Sequence, residues 1–346
     1  MSISRLAALI VVSVYTPPAN HLDAQVAARG YWETRYNVSD DRVQLSFQDY
    51  DYRGRRGGST SYGIAPSLLQ GVSRSQLADG DGPVRFSLVR DAGTFNFEGQ
   101  VYRGHGTGRF TFTPDSRFAN QMSSRGYGRP SDEQQFYLAM HDVGYALVDE
   151  LKTQRYNRPS IEDLIRMGMH GARYEFVRGI GSLGYHLNDV DDLIEMRDHG
   201  VTPDYITGLR AAGYGKLSAD QLVELRDHGV TSSFISGLAQ LGYERLSASD
   251  TRQLRDHGVT PDYIRALSRA GFSKLSTDDL LAARDHGVTG DYAEGMRRLF
   301  PRANLDDLVR MRDHGVTLSY AQRVREQEDS ITMDELVRRR DRGDRY

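Results

Sequence analysis

The stretch Arg197-Asp-His-Gly-Val-Thr-Pro-Asp-Tyr-Ile206 decides the fold of most of this chain. Its first six residues recur in a constant register, with the glycine at Gly200, Gly229, Gly258, Gly287 and Gly315. Variants of the same word contain Gly171 and Gly343. The step from one glycine to the next is constant as far as Gly287 and is one residue shorter beyond it. A fixed period of about 29 residues is typical of arrays built from small helical repeats.

The residues between two copies of the word predict two short helices. Thr202 is a suitable N-cap, Pro203 suits the first helical position, and Gly213 suits the residue that ends a helix. Ser218-Ala-Asp-Gln221 is a capping-box pattern for a second helix, which Gly229 ends. Helices of about three turns are marginally stable alone. The pairs are therefore predicted to stack into an α-solenoid.

The first part of the chain is predicted to be all-β. Apolar and polar residues alternate at 43–47, 84–88, 94–97 and 109–112, and turn-rich stretches separate these segments. The word Gly93-Thr-Phe-Asn-Phe97 is followed a short distance later by the similar word Gly108-Arg-Phe-Thr-Phe112. They could be two rungs of a β-solenoid, but two rungs make a weak repeat. An antiparallel sheet or a small sandwich is favoured.

The expected fold class is α+β and multidomain, with an N-terminal all-β domain followed by an α-solenoid of about 29-residue two-helix repeats. Residues 25–113 are assigned to the β-rich domain, residues 114–160 to a divergent helical adaptor, and residues 161–346 to the repeats. In the adaptor, Thr113-Pro114-Asp115 repeats the N-cap word at spacings that differ from the repeat period, and one long helix is expected from Ser131 to about Lys152. The last second helix, at about 333–342, is expected to be a charged C-terminal cap.

Residues 1–24 have the pattern of a secretory signal peptide. One positive charge at residues 1–5 precedes a largely apolar run at residues 6–15, and Leu22-Asp23-Ala24 ends in the small residue of a cleavage site. Cleavage would leave Gln25 first, and an uncleaved anchor is the alternative. The chain has no cysteine, which excludes disulfides, thiolate catalysis and cysteine-based zinc sites. A periplasmic or secreted bacterial protein is expected.

Six of the ten histidines lie in the repeated word, and a metal site is one interpretation of this clustering. Stacked helices lie about 8–10 Å apart, so equivalent histidines cannot share a metal whose nitrogen ligands lie at about 2.0–2.1 Å. A histidine just before a helix-ending glycine suits the negative end of the helix dipole, and we interpret these histidines as structural. The Arg-Asp pair is interpreted as a ladder of ion pairs or hydrogen bonds. A row of identical binding subsites is the alternative.

The sequence has no recognisable catalytic or cofactor-binding motif. The nucleophile-elbow, Walker and dinucleotide-binding patterns are missing, and His105 lies in a glycine-rich segment that favours a turn. We therefore expect no enzyme activity, no cofactor and no metal. A cell-wall hydrolase would need a carboxylate pair in the β-domain, for example from Glu33, Asp49 or Asp51.

The word Arg-Asp-His-Gly-Val-Thr-Pro-Asp-Tyr-Ile resembles short helical repeats that are appended to bacterial envelope proteins. Some of these repeats are tails behind membrane metallopeptidase domains of the beta-lactam-sensor type. The resemblance covers about residues 84–343. The His-Glu-x-x-His signature of such peptidases is absent, so the resemblance implies no peptidase activity.

We expect a non-catalytic protein-interaction or scaffolding protein, such as an extrinsic subunit of an envelope or membrane complex. Its partners would be proteins, because a net charge of −3 with both signs spread along the chain is a poor footprint for nucleic acid. No small-molecule substrate is evident. A cell-wall hydrolase or a glycan-binding protein is the alternative.

Exposed positions that vary between repeats are free to specify a partner. Two adjacent slots of the first helices form the candidate interaction face. One slot holds Thr207, Ser236, Arg265 and Glu294, and the next holds Gly208, Gly237, Ala266 and Gly295. The small second slot indicates a close approach, either of the adjacent helix or of a partner.

Overall fold

The computed structural model describes residues 28–37, 39–50, 56–187 and 189–343. The predicted signal peptide, residues 1–24, lies outside these residues. The chain divides into two compact units. The sheet unit comprises the residues up to Tyr145 together with Ser160–Ile165, and the array unit comprises Ala146–Pro159 and the residues from Arg166 onward.

Seven strands form one antiparallel sheet in the described part of the sheet unit. They are β1 (Ala28–Asn37), β2 (Arg42–Tyr50), β3 (Arg56–Ile64), β4 (Leu69–Gln70), β5 (Asp81–Arg90), β6 (Gly93–Tyr102) and β7 (His105–Pro114). Their order is β3-β2-β1-β7-β6-β5-β4, so the pairing of β1 with β7 joins two groups of sequential strands. The two similar sequence words pair directly, with Phe95 opposite Phe112 and Phe97 opposite Phe110. The antiparallel sheet is therefore confirmed, and the β-solenoid alternative is wrong.

One face of the sheet is aromatic and buried. Alternation along each strand sends every second side chain to this face. Its largest fully buried members are Trp32, Phe47, Phe95, Phe97, Phe110 and Phe112. Phe136, from a helix after the sheet, packs on Phe95 and Phe112 with ring centroids 5.7 and 5.5 Å apart. Trp32 has room because a glycine lies beside it: a Cβ at Gly99 would be 2.8 Å from the indole ring.

Helix α1 (Arg74–Asp79) lies between β4 and β5, and sixteen helices follow the sheet in the described residues. They alternate as first and second members of pairs. The first helices are α2 (Ser116–Ser124), α4 (Tyr145–Thr153), α6 (Tyr174–Ser182), α8 (Pro203–Ala211), α10 (Ser232–Ala239), α12 (Pro261–Arg269), α14 (Gly290–Leu299) and α16 (Leu318–Gln327). The second helices are α3 (Asp132–Met140), α5 (Ile161–Met169), α7 (Val190–Asp198), α9 (Ala219–Asp227), α11 (Ala248–Asp256), α13 (Thr277–Asp285), α15 (Leu305–Asp313) and α17 (Met333–Asp341).

The register of the helix pairs begins earlier than the repeated word. First helices start at one constant interval from Ser116 to Gly290, and second helices start at the same interval from Asp132 to Thr277. This interval equals the step between the glycines of the word. Residues 114–160, where we expected a divergent adaptor with other spacings, therefore hold helices in the same register as the later pairs.

The single long helix expected from Ser131 to Lys152 is wrong, because α3 and α4 are separate helices. Asp142 adopts a left-handed conformation with φ 58°, and the amide of Val143 donates to the carbonyl of Leu138 at 2.8 Å. Glycines have this place in the later pairs, with φ between 67° and 79° at Gly171, Gly200, Gly229, Gly258, Gly287, Gly315 and Gly343. A left-handed aspartate is uncommon, so the sequence did not reveal this helix end.

The predicted N-caps and helix ends are confirmed in the array. Thr202 Oγ1 accepts a hydrogen bond from the amide of Tyr205 at 3.1 Å, and Ser218 and Gln221 form a capping box. From α6 onward, successive first helices pack on one another, and from α7 onward successive second helices do the same. The array unit therefore has two layers of short helices, as predicted for an α-solenoid. None of the described helices is both long and apolar enough to span a membrane.

Replacing Gly229 by valine is expected to lower the free energy of unfolding by about 1–3 kcal/mol. Gly229 has φ 67°, a conformation that a β-branched side chain resists. Urea unfolding of the full chain measures the change. Gly215→Val is the matched control, because Gly215 lacks a left-handed φ and a Cβ there would meet nothing within 4 Å. Equal stability of the two variants would contradict the helix-end assignment.

Candidate interaction surface of the repeat array

The repeated Arg-Asp-His-Gly word lies at the C-terminal ends of second helices, where it joins one helix pair to the next. Each histidine places its Nδ1 against the carboxylate of the following word, at nitrogen–oxygen distances of 2.5–2.8 Å. The six pairs are His170–Asp198, His199–Asp227, His228–Asp256, His257–Asp285, His286–Asp313 and His314–Asp341. In each word, the aspartate therefore bonds to the histidine of the preceding word, and the histidine bonds to the aspartate of the following word. We call these pairs the His–Asp ladder.

The carboxylate of Asp227 favours the charged form of the His199 imidazole. The hydrogen bond that His199 Nδ1 makes to the carboxylate of Asp227 raises the pKa of His199 above its ordinary value, and the charges of Glu195 and Asp198 act in the same direction. A protonated imidazole donates from Nδ1 to the carboxylate, which makes a charge-assisted hydrogen bond between successive second helices. The histidine side chains are 39–45% exposed, so each pair contributes modestly, but the contact recurs at every step of the array.

The arginine of each word lies over an aromatic ring of its own helix pair. These contacts are Arg197 over Phe176, Arg226 over Tyr205, Arg255 over Phe234, Arg284 over Tyr263, Arg312 over Tyr292 and Arg340 over Tyr320, at 5.1–5.6 Å from the ring centroid. The same guanidinium borders the preceding word: a Cβ at Gly200 would lie 3.4 Å from Nε of Arg226. In the last pair, Arg340 also donates to the carbonyl of Gly315 at 3.0 Å. The arginines of the word are thus stacking residues.

Tyrosines beneath these arginines also bond to the word. The hydroxyls of Tyr205, Tyr263 and Tyr292 donate to the carbonyls of Val230, Val288 and Val316 at 2.8–3.0 Å. Burial raises the pKa of all three tyrosines to about 12, so their hydroxyls stay protonated donors near neutral pH. The arginine, aspartate, histidine and valine of the word are therefore engaged within the array. These contacts support the structural interpretation of the word over a row of binding subsites.

The small slot of the candidate face lies against the next first helix. The facing pairs are Gly179 with Pro203, Gly208 with Ser232, Gly237 with Pro261, Ala266 with Gly290, and Gly295 with Leu318. A Cβ at Gly237 would be 2.7 Å from Cγ of Pro261, and a Cβ at Gly290 would be 2.4 Å from Cβ of Ala266. The sizes are complementary, because the slot that holds alanine faces a glycine.

The end of the array supports this interpretation of the slot. Arg323 has the slot position in α16 and is exposed, and no further first helix follows in the described residues. The close approach predicted at Gly208, Gly237 and Gly295 is an approach of the adjacent first helix. These glycines belong to the stacking contact, because the adjacent helix takes the space that a partner would need.

The first slot of the candidate face remains a surface. Thr207, Arg265 and Glu294 are exposed, and Ser236 is half-buried. Their polar groups bond within their own helices: Thr207 Oγ1 donates to the carbonyl of Pro203 at 2.8 Å, Arg265 pairs with Asp262, and Glu294 pairs with Arg298. This slot changes from hydroxyl to cation to anion along the array. We call it the variable row.

The array contains a pocket of about 290 Å³ that we did not predict, lined by residues that include Tyr214, Ala239, Tyr243, Glu244 and Thr251. A signal was present in the repeat alignment. Thr251 stands where neighbouring second helices have leucine, and it is a polar side chain in a buried position.

The polar face of the sheet unit carries a groove of about 940 Å³. Its lining includes Glu33, Arg35, Gln44, Asp81, Gln100, Tyr102 and His105. Glu33 lies there with its Oε1 3.5 Å from Nε2 of Gln48. Asp51 and the side chain of Asp49 lie outside the described residues, so the carboxylate pair of a hydrolase stays a prediction. His105 is the first residue of β7 and follows the turn at Arg103 and Gly104, so the predicted turn lies directly before it.

A second cleft of the sheet unit, about 460 Å³, is lined by charged side chains that make structural bonds. Arg90 pairs with Asp142 at 2.9 Å, and Asp91 accepts a hydrogen bond from the amide of Tyr145 at 2.8 Å. In the described part of the chain, no three His, Cys, Asp or Glu side chains are grouped so that they could hold a metal ion.

Replacing Asp227 by asparagine is expected to lower the pKa of His199 toward about 6.5, the ordinary histidine value. Folding raises the pKa of His199, so the His199–Asp227 pair stabilises the folded chain fully below about pH 6.5. This stabilisation is lost as the pH rises through the pKa that His199 has in the folded chain. Stability should therefore fall less between about pH 6 and pH 8 in the variant. Histidine titration by NMR and urea unfolding measure both effects. Asp204→Asn, an exposed aspartate of α8 outside the ladder, should leave both unchanged.

Because Ala266 faces Gly290, the destabilising effect of a larger residue at Gly290 should be reversed by a smaller residue at Ala266. Gly290→Ala is expected to destabilise the array by about 1–3 kcal/mol, because its Cβ would overlap Ala266. Ala266→Gly alone should cost about 1 kcal/mol, as glycine does inside a helix. The double variant should be more stable than Gly290→Ala, and a double-mutant cycle by urea unfolding measures the coupling. Additive effects would show that the two positions do not meet.

Comparison with protein-family models, with curated proteins and with solved structures gives no match to this chain.

Proposed function

We propose that the array is a protein-interaction or scaffolding module, and that a protein partner binds the outer surface of its first-helix layer. The division of roles within each helix pair carries this proposal. The repeated word is engaged in contacts inside the array, whereas the variable row, Thr207, Ser236, Arg265 and Glu294, presents different chemistry at each step. A rigid stack with a changing surface suits the recognition of an extended partner.

We further propose that the protein acts in the periplasm or outside the cell, as an extrinsic subunit of an envelope complex. The signal-peptide pattern of residues 1–24 supports this setting. We assign no catalytic role to the array. Its repeated histidines and aspartates hold one another in the His–Asp ladder, and its buried tyrosines donate to backbone carbonyls.

The proposal predicts that reversing the charges of the variable row removes the partner. The full chain carries a photo-cross-linking residue at Thr207, and cross-linking is done in the native envelope fraction. The original chain should capture a stoichiometric protein, and Arg265→Glu combined with Glu294→Arg should capture at least about tenfold less. The reason is that both charges face outward while the net charge of the chain is unchanged.

The matched control is Asp278→Arg combined with Arg338→Glu, which reverses two exposed charges on the second-helix layer. It should capture as much partner as the original chain, and both double variants should keep their helical circular-dichroism spectrum. Equal capture by the two double variants would place the partner on another surface.

A glycan-binding role for the sheet unit is the second candidate. The groove on the polar face presents Tyr102, which is 53% exposed, among amide, hydroxyl and charged side chains. An exposed aromatic ring among hydrogen-bonding groups suits a sugar. Retention of the chain on insoluble cell-wall polymer, undiminished by the variable-row substitutions, would favour this candidate over the first.

A further inference from the structure

Three first helices of the array place an arginine over the aromatic ring that follows the preceding first helix. These pairs are Arg210 over Tyr185 at 5.6 Å, Arg297 over Phe272 at 5.1 Å and Arg325 over Phe300 at 5.5 Å. Arg210 also donates to the carbonyl of Leu183 at 2.7 Å, and Arg297 donates to the carbonyl of Gly271 at 3.1 Å. Such a guanidinium covers an aromatic face and satisfies a carbonyl that the end of a helix leaves open. We call it the arginine lid.

The lid position is small in the two first helices between Arg210 and Arg297. It holds Ala239 in α10 and Ser268 in α12. The corresponding rings are those of Tyr214 and Tyr243, and among the described residues no cation lies over either ring. The pocket of about 290 Å³ opens at this place and is lined by both tyrosines and by Ala239.

The pocket offers the groups that an arginine lid uses elsewhere. Ala212 and Gly213 line it, at the repeat positions of Leu183 and Gly271, whose carbonyls accept from lids. Glu244 adds a carboxylate to the lining. An aromatic face, helix-end carbonyls and a carboxylate together match a planar cation with several N–H donors.

The ring of Tyr214 is held in place at this pocket. Its hydroxyl contacts Thr251 Oγ1 and lies 3.3 Å from the carbonyl of Ser247. Thr251 is 1% exposed and stands where Leu222 and Leu280 stand in the neighbouring second helices. Two departures from the repeat, Ala239 and Thr251, therefore meet at one pocket. One opens the space above the ring, and the other binds the hydroxyl at its edge.

The chain has one cation of its own in the lining of the pocket. Arg245 has the repeat position of Lys216, whose Nζ donates to the carbonyl of Gly184 at 2.8 Å. Within the described residues, Arg245 makes no hydrogen bond or ion pair and does not cover Tyr214. The place over the Tyr214 ring, where a lid lies in other pairs, is thus not taken by a cation of the described residues.

We propose that this pocket binds the guanidinium of an arginine side chain presented by a partner polypeptide. The partner supplies in trans the lid that Arg210, Arg297 and Arg325 supply within the chain. The guanidinium lies on Tyr214, donates to the helix-end carbonyls of Ala212 and Gly213, and faces Glu244. This inference rests on the proposed function of the array and names the chemistry of its partner.

The first test uses the isolated side chain. The isotope-labelled full chain is titrated with N-acetyl-arginine amide and, separately, with its neutral isostere N-acetyl-citrulline amide. Arginine amide should bind with a dissociation constant in about the millimolar range, as expected for one side chain, and should shift the NMR signals of Ala239 and Glu244. Equal shifts from citrulline amide, or shifts confined to other residues, would overturn the proposal because a guanidinium site requires the charge.

Ala239→Arg is the decisive variant, since it installs the lid within the chain. It should fold and be at least as stable as the original, because Arg210 and Arg297 fill the equivalent space in their pairs. Its dissociation constant for arginine amide should rise at least about tenfold. Ala282→Arg is the matched control: it adds the same side chain at an exposed position of α13 and should bind as the original does. Glu244→Gln should weaken binding without loss of stability.

Unchanged binding of arginine amide by a folded Ala239→Arg chain would overturn the proposal. Cross-linking from Thr207 separates this inference from the proposed function. If Ala239→Arg still captures the partner while it no longer binds arginine amide, the partner's arginine does not use the pocket and the inference fails alone. If no form of the chain captures a partner, the proposed function fails, and the titration still decides whether the pocket takes a guanidinium.

Discussion

The contact between successive helix pairs is the interaction on which the array depends. Its helices are mostly nine residues long, too short to be stable alone, so each must be held by the pair before it and the pair after it. The word Arg-Asp-His-Gly-Val supplies this contact in several ways at once. The ladder links successive second helices, and the arginine borders the glycine of the preceding word. Within its own pair, the arginine covers an aromatic ring and the valine carbonyl accepts from a tyrosine. The glycine ends the helix and leaves room for the next arginine.

This constraint decides which positions can vary. Each word has partners on both sides, because its aspartate bonds to the preceding word and its histidine bonds to the following word. Helix α17, the last of the described helices, shows the rule, since Arg340 and Asp341 make the same bonds to the preceding word. Positions outside these contacts are freer, and the array departs from its pattern there. The variable row and the pocket beneath Ala239 are such departures.

The sheet unit depends on a different constraint. Its aromatic layer must be covered, and Phe136 of α3 packs on Phe95 and Phe112 of the sheet. The helical register that begins at Ser116 therefore begins within the sheet unit. This arrangement explains why residues 114–160 resemble the later repeats in spacing while lacking their word. Met140-His141-Asp142-Val143 ends α3 as the word ends a later helix, with Asp142 in the place of glycine.

The period, the two helices of each repeat, their caps and their ends could be predicted from the residues alone. These features are local, because Thr202, Ser218 and Gly229 act on backbone groups a few residues away. Alternation likewise determined the strands, but not their order, because pairing of β1 with β7 joins residues far apart in the chain. The partners of the word, in contrast, depend on how successive helix pairs pack. His199 and Asp227 belong to successive words, and nothing in the local sequence indicates that one will meet the other. Tertiary packing also decided that Gly237 belongs to a helix contact and that Ala239 leaves a tyrosine uncovered. Both positions hold a small residue, and the sequence does not distinguish them. The role of each depends on whether a neighbouring helix occupies the space beside it.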